Sequence, residues 1–197
     1  MRMRARYFAI GLLGLATLVI ADNYFTIALH APKDPMLHGK LVNARDKAFI
    51  AGAPTPSTRC GLDDAAQCPT GNVTLVTRDM SFLASAVPGG QFIYIAPDGS
   101  ISYPNAHSTL RPPGAQVGGF YSLLASSDHS ESVDVLNWRS KDGTSGLWVC
   151  AVAPGAPIAY QAVLKASTGQ FDELGCLSVD GIVIQEAGSS FGAWEYT

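Results

Sequence analysis

The sequence predicts an all-β fold, a single-domain β-sandwich or barrel of about ten short strands with two disulfides. Three observations predict it. Short segments of strand composition recur along the chain with turn signals between them. Glycine and proline number 20 and 12 among 197 residues, which favours turns over long helices. No heptad, internal repeat or low-complexity tract competes with that reading.

The elements follow in order. Tyr24 to Leu29 has strand alternation and stops at Ala31-Pro32-Lys33-Asp34-Pro35. The rest of 22–47 reads as a lead-in, and a short strand centres on Phe49-Ile50. Residues 53–70 form a loop rich in proline, threonine and aspartate, with one short helix expected over Leu62 to Gln67. Asn72 to Thr77 alternates polar and apolar residues, the pattern of a half-buried strand. Pro88-Gly89-Gly90 marks a turn. Gln91 to Tyr103 reads as a hairpin around Pro97-Asp98-Gly99-Ser100, because proline presets φ at the first central position and glycine accepts positive φ. Gly119 to Leu124, Val133 to Trp138, Leu147 to Ala151, Ile158 to Leu164, Leu177 to Gln185 and Gly192 to Tyr196 complete the strands.

The first 21 residues carry an export signal. Arg2, Arg4 and Arg6 precede the uncharged run Tyr7 to Ile20, and Val19-Ile20-Ala21 supplies small residues for cleavage after Ala21. A spanning helix needs about 18–20 apolar residues, and this run is shorter and ends in Asp22-Asn23. The expected organisation is a signal peptide over 1–21 and one β domain over 22–197. SSFGAWEYT ends the sequence without the apolar tail of a lipid-anchored precursor, so no membrane handle is expected after cleavage.

Composition narrows the partners. The net charge is −3 and only 15% of residues are charged. Losing three arginines with the leader makes the chain more acidic, which argues against nucleic acid. Cys60, Cys68, Cys150 and Cys176 are an even set in an exported chain, which argues for disulfides. Four cysteines allow three pairings. Cys60–Cys68 with Cys150–Cys176 is favoured, since each closes a local loop within one half of the chain. No C-x-x-C or H-x-x-x-H spacing supports a zinc site, and no metal or other cofactor is expected.

The segment Val87 to Phe120 resembles the centre of the PhiA-type fungal cell wall proteins. Three pieces carry the resemblance: Val87-Pro88-Gly89-Gly90-Gln91, Ala106-His107-Ser108, and Pro112-Pro113-Gly114 leading to Gly118-Gly119-Phe120. The flanks agree, with Cys60 and Cys68 before Pro69-Thr70-Gly71-Asn72 and Ala193-Trp194-Glu195-Tyr196-Thr197 at the end. Phe25 to His30 and Phe49 to Gly52 also fit, so the resemblance covers nearly the whole mature chain. The polar segment Ser126 to Asp142 departs from it. The resemblance implies a secreted, non-enzymatic wall protein of filamentous fungi, associated with development of the phialide and conidium. Some family members resemble IgE-binding allergens. The family offers no catalytic residues to carry over.

Candidate chemistry is sparse. Gly188-Ser189-Ser190-Phe191-Gly192 matches the nucleophile-elbow spacing, but the acid and histidine of such hydrolases follow the serine, and here no histidine does. His107 and Ser108 are adjacent, and on an extended chain they would point to opposite faces. Asp63-Asp64 lacks the twelve-residue calcium pattern. His30, His38 and His129 show no ligand spacing. Asn72-Val73-Thr74 is an N-glycosylation sequon. Tyr94, Tyr103, Tyr121, Trp138, Trp148 and Trp194 would make a sugar-stacking platform if they shared one exposed face. The leading expectation is a structural wall protein whose partners are wall polysaccharide or other wall proteins. The alternatives are a secreted polysaccharide-binding module or an effector or allergen-like protein. A secreted hydrolase has the least support.

Overall fold

The structure, a computed structural model, describes residues 23–125 and 133–197. The expected signal peptide and Ser126 to Ser132 of the polar segment lie outside the described residues.

The fold is all-β, and the named pairings between its strands are antiparallel. The strands are β1 (Tyr24–His30), β2 (Val42–Arg45), β3 (Ala48–Ala51), β4 (Thr58–Arg59), β5 (Phe82–Leu83), β6 (Gln91–Phe92), β7 (Tyr94–Ile95) and β8 (Ile101–Ser102). They continue as β9 (Gln116–Val117), β10 (Phe120–Ala125), β11 (Val133–Trp138), β12 (Leu147–Ala151), β13 (Ala162–Ala166), β14 (Cys176–Val179), β15 (Gly181–Gly188) and β16 (Glu195–Tyr196).

Two larger sheets enclose the core. One runs β1-β15-β11-β10 and the other β14-β12-β13-β3-β2. Alternation drives both: in β1 the burial pattern is strictly two-fold, with Phe25, Ile27 and Leu29 inward. Those side chains meet Leu136, Trp138, Ile182 and Ile184 of their own sheet and Val42, Phe49, Leu147, Val149 and Leu164 of the other, in one apolar cluster. Two sheets facing across one core form a sandwich. The two- and three-stranded ribbons β16-β4, β5-β6 and β8-β7-β9 add Leu83, Ile95, Ile101 and Tyr196 to the same core.

Several expectations need correction. Asn72 to Thr77 is not a strand. Thr74, Leu75 and Val76 are all buried, and their backbone is satisfied piecemeal. Thr74 N–H donates to Asn43 Oδ1 at 2.9 Å, and Leu75 N–H to the Tyr196 hydroxyl at 3.1 Å. Val76 exchanges two bonds with Phe25 at 2.9 Å each. The expected lead-in contains β2, which pairs with β3 through the two-residue turn Asp46-Lys47. Both turn residues have positive φ, 52° and 63°, as a type I′ turn requires. Asp-Lys lacks the glycine that announces such turns, so this hairpin escapes a sequence reading.

The expected strand Leu177 to Gln185 is two strands, β14 in one sheet and β15 in the other. The chain crosses between them at Asp180-Gly181. A Cβ on Gly181 would lie 2.5 Å from the Leu136 carbonyl oxygen and 2.6 Å from Val135 Cγ1, so a side chain there would push β11 away. The expected strand Ile158 to Leu164 begins later, at Ala162, and the expected helix shrinks to a 3-10 turn over Ala65–Gln67. The Gln91 to Tyr103 hairpin forms, with Ile95 opposite Ile101. Its loop has Gly99 N–H bonded to Ala96 C=O and Ala96 N–H to Ser100 C=O, each at 2.9 Å. Gly99 has a φ of 81°, the bulge position of a three-residue hairpin loop.

Candidate cleft where the motif pieces converge

The pieces that are far apart in sequence meet around β16. Gln91, from the Pro88-Gly89-Gly90 motif, is fully buried. Its side-chain amide accepts the Tyr196 N–H at 2.8 Å and donates to the Tyr196 carbonyl at 2.8 Å and the Pro104 carbonyl at 3.0 Å. The turn itself closes with Gly90 N–H to Val87 C=O at 2.9 Å, while Val87 N–H donates to Trp194 C=O at 2.9 Å. Pro88, Gly89 and Gly90 thus set the chain direction that delivers Gln91 to β16. On the other side β4 pairs with β16, Arg59 opposite Glu195. Cys60, bonded to Cys68, follows β4 directly.

This convergence leaves a cleft of about 430 Å³ lined by Lys47, Arg59, Asn105, Ala106, His107, Glu195, Tyr196 and Thr197. Lys47 enters from the β2–β3 turn. Its carbonyl accepts the Ser102 hydroxyl at 2.6 Å and its ammonium stands 4.9 Å over the Tyr103 ring. Burial holds that ammonium below its usual range, and Glu195 draws it part of the way back. Arg59 Nε lies 3.9 Å from Glu195 Oε1. Burial raises the Tyr103 phenol and pushes that of Tyr196 up to about 12, with the Leu75 N–H pulling the latter back.

Lys47 and His107 both hold the left-handed backbone, at φ 63° and 60°. Each costs about 1–2 kcal/mol in a residue with a Cβ, and such positions concentrate where side chains are aimed for a purpose. His107 sits third in a turn closed by Ser108 N–H to Asn105 C=O at 3.1 Å. The chain is therefore turned here, not extended, and the exposed imidazole is presented at the cleft.

The remaining candidates resolve into structural tasks. Ser108 Oγ accepts the Leu110 N–H at 3.1 Å. Pro113 and Gly114 line a separate polar hollow with Pro97, Gln116, Asp142 and Thr168. Asp64 caps the 3-10 turn by accepting the Ala66 N–H at 3.0 Å. Gly192 of the elbow-like pentapeptide packs under the Tyr196 hydroxyl, in a bend and not before a helix. Cys150 bonds Cys176 across the β12–β14 ladder, and none of the four cysteines is free. Asn72 is exposed. The six-ring platform does not assemble, because Tyr103 and Trp138 are core residues. Sequence reading missed one close pair: the His30 and His38 rings meet edge-on at 5.4 Å, and His38 Nδ1 accepts the Ala31 N–H. The turn over residues 34–39 folds His38 back, which no spacing rule signals. Among the described residues no group of three or more His, Cys, Asp or Glu is placed to hold a metal, and no helix is long and apolar enough to cross a membrane.

Fold and cleft together define a disulfide-bonded antiparallel β domain whose motif residues lock its last strand. The chain is 32% identical over 158 residues to an uncharacterized secreted protein of Arthroderma benhamiae, a match covering 79% of this chain and 77% of that protein. It belongs to the same family as that secreted fungal protein. No family model matches the chain. No solved structure matches it.

Proposed function

We propose that this chain is a secreted, non-enzymatic protein of the fungal cell wall, of the PhiA type, that supports wall structure during asexual sporulation. The observation that carries the reading is the use made of the motif residues. Gln91, the Pro88-Gly89-Gly90 turn and the Ala193 to Thr197 segment are spent on one another as a clamp. The cleft beside them is lined by Lys47, Arg59, Glu195, Asn105, His107 and Thr197, with the Tyr196 of the clamp itself at its wall. Kinship with a secreted fungal protein and a leader of the export type support the location. A protein built this way serves by presenting a durable surface.

Fractionation of producing cells into medium, detergent extract, reductant extract and stripped wall tests it, with the protein followed by antibody through sporulation. Retention with the wall until detergent or reductant is added is the expected result. Recovery of nearly all the protein from the medium at every stage would overturn the wall role and favour a soluble effector.

A further inference from the structure

We propose that the outward face of β5, β6, β7 and β9 is a binding strip for a neutral β-linked polysaccharide. Along Gln91 to Ile95 burial alternates: Gln91, Ile93 and Ile95 point inward, Phe92 and Tyr94 outward. A strand with one wet face normally carries polar residues there. Here both outward residues are aromatic, and each has an apolar residue opposite it on one side. Phe82 lies opposite Phe92, and Val117 opposite Tyr94. Phe82 is 45% exposed and Val117 46%. The Phe92 and Tyr94 rings are 6.0 Å apart and tilted by 48°, and the Arg111 guanidinium lies over the Phe92 ring, 5.9 Å from its centroid. On its far side the face is closed at Ser102, which lies opposite Tyr94 and donates its own hydroxyl to the Lys47 carbonyl.

The strip is stiff. Ile93 and Ile95 are buried behind it, and Ile93 N–H bonds Ser81 C=O at 2.8 Å. Rings held this way lose little freedom on binding.

The occupant follows from size and chemistry. These partly exposed side chains offer on the order of 300 Å², whereas a stable protein interface needs about 800 Å² per partner. A second copy of the chain is therefore poorly served. A sugar ring with equatorial hydroxyls is apolar on its face and polar at its rim. The face lies on Tyr94 and on Phe92, from which the exposed Arg111 swings aside to the rim, where its donors and the Tyr94 hydroxyl meet the sugar hydroxyls. β-Linked glucan and chitin repeat that ring along a straight chain, which suits an open row better than a pocket. An acidic protein has no use for an anionic polymer there.

This inference rests on the wall reading, and its test is separate from cell fractionation. The full chain, secreted from a yeast host, is mixed with insoluble β-glucan, chitin and α-linked starch, and bound and free fractions are measured. Retention on glucan or chitin but not starch is expected, and the polymer that retains it names the source. Phe92→Ala with Tyr94→Ala should weaken retention about tenfold or more. Tyr160→Ala, an exposed ring elsewhere, should leave it unchanged. Phe82→Ala gives a second reading should the double variant misfold, as judged by near-ultraviolet circular dichroism. Failure to bind either β-linked polymer, equal binding by the ring variants, or concentration-dependent dimers that those variants abolish would overturn it. If cells still hold the protein in the wall after such a failure, only the strip falls.

Discussion

The side-chain amide of Gln91 makes the two backbone bonds to Tyr196 that a neighbouring strand would make, receiving its N–H and donating to its carbonyl at 2.8 Å each. A buried side chain thus substitutes for a strand in holding β16. Replacing Gln91 by methionine keeps the volume and strips the partners from three buried backbone groups. The expected cost is about 2–4 kcal/mol, read as a fall in melting temperature of roughly 5–15 °C. A variant that melts with the parent would show the bonds are dispensable.

Gly192 and Tyr196 form a second coupled pair. A Cβ on Gly192 would sit 2.3 Å from the Tyr196 hydroxyl, which accepts the Leu75 N–H and donates to the Val73 carbonyl. Gly192→Ala should cost about 1–3 kcal/mol by overpacking. Tyr196→Phe removes the atom in the way, so the double variant should cost clearly less than the sum of the singles. Urea unfolding of the four proteins measures the coupling, and strict additivity would refute it.

Stability should fall at both ends of the pH scale. Burial alone would raise the Asp79 carboxyl, but bonds from Ser81 and Thr77 outweigh it and hold it low. At Asp98 burial is likewise outweighed by Ser100 and Lys165. A carboxylate depressed in the folded state stabilises above its unfolded range, and that share is lost as pH falls through the folded value. Tyr196 works the other way. Its phenol is raised from 10.0 to about 12, so its share is full below the unfolded value and is lost as pH rises toward the folded one. Lys47, held low, opposes this in part. Urea midpoints followed from about pH 3 to about pH 11 should trace a dome. Tyr196→Phe should make its alkaline side shallower but not abolish it, because the Tyr103 phenol is raised by burial as well, whatever the variant costs at neutral pH.

Asn72 should carry a glycan when the chain is secreted from a eukaryotic host. The asparagine is exposed, while Thr74 of the same sequon is fully buried and accepts the Ala44 N–H at 2.6 Å. Addition must therefore precede packing of that threonine. Endoglycosidase treatment should sharpen and speed the band on a gel, and Asn72→Gln should reproduce the treated mobility.

Period and turn chemistry are local, so the sequence by itself determined much of the strand inventory. Val133–Trp138 and Leu147–Ala151 are strands over the expected residues, because valine and tryptophan suit a pleated, half-buried surface. The Pro97 to Ser100 turn is legible for the same reason, since φ preferences belong to single residues. The cysteine pairs are close in the chain and closer still in space. Only the tertiary structure decided the rest. Thr74 to Val76 reads as a strand, yet its backbone partners come from Asn43, Tyr196 and Phe25, three distant places with no local signature. Asp180-Gly181 carries the chain from one sheet to the other because of where β11 lies. The cleft exists because Gln91 reaches Tyr196 across 105 positions of sequence. Alternation says which side chains turn inward; which distant backbone group each one meets is settled only when the two sheets close on a common core.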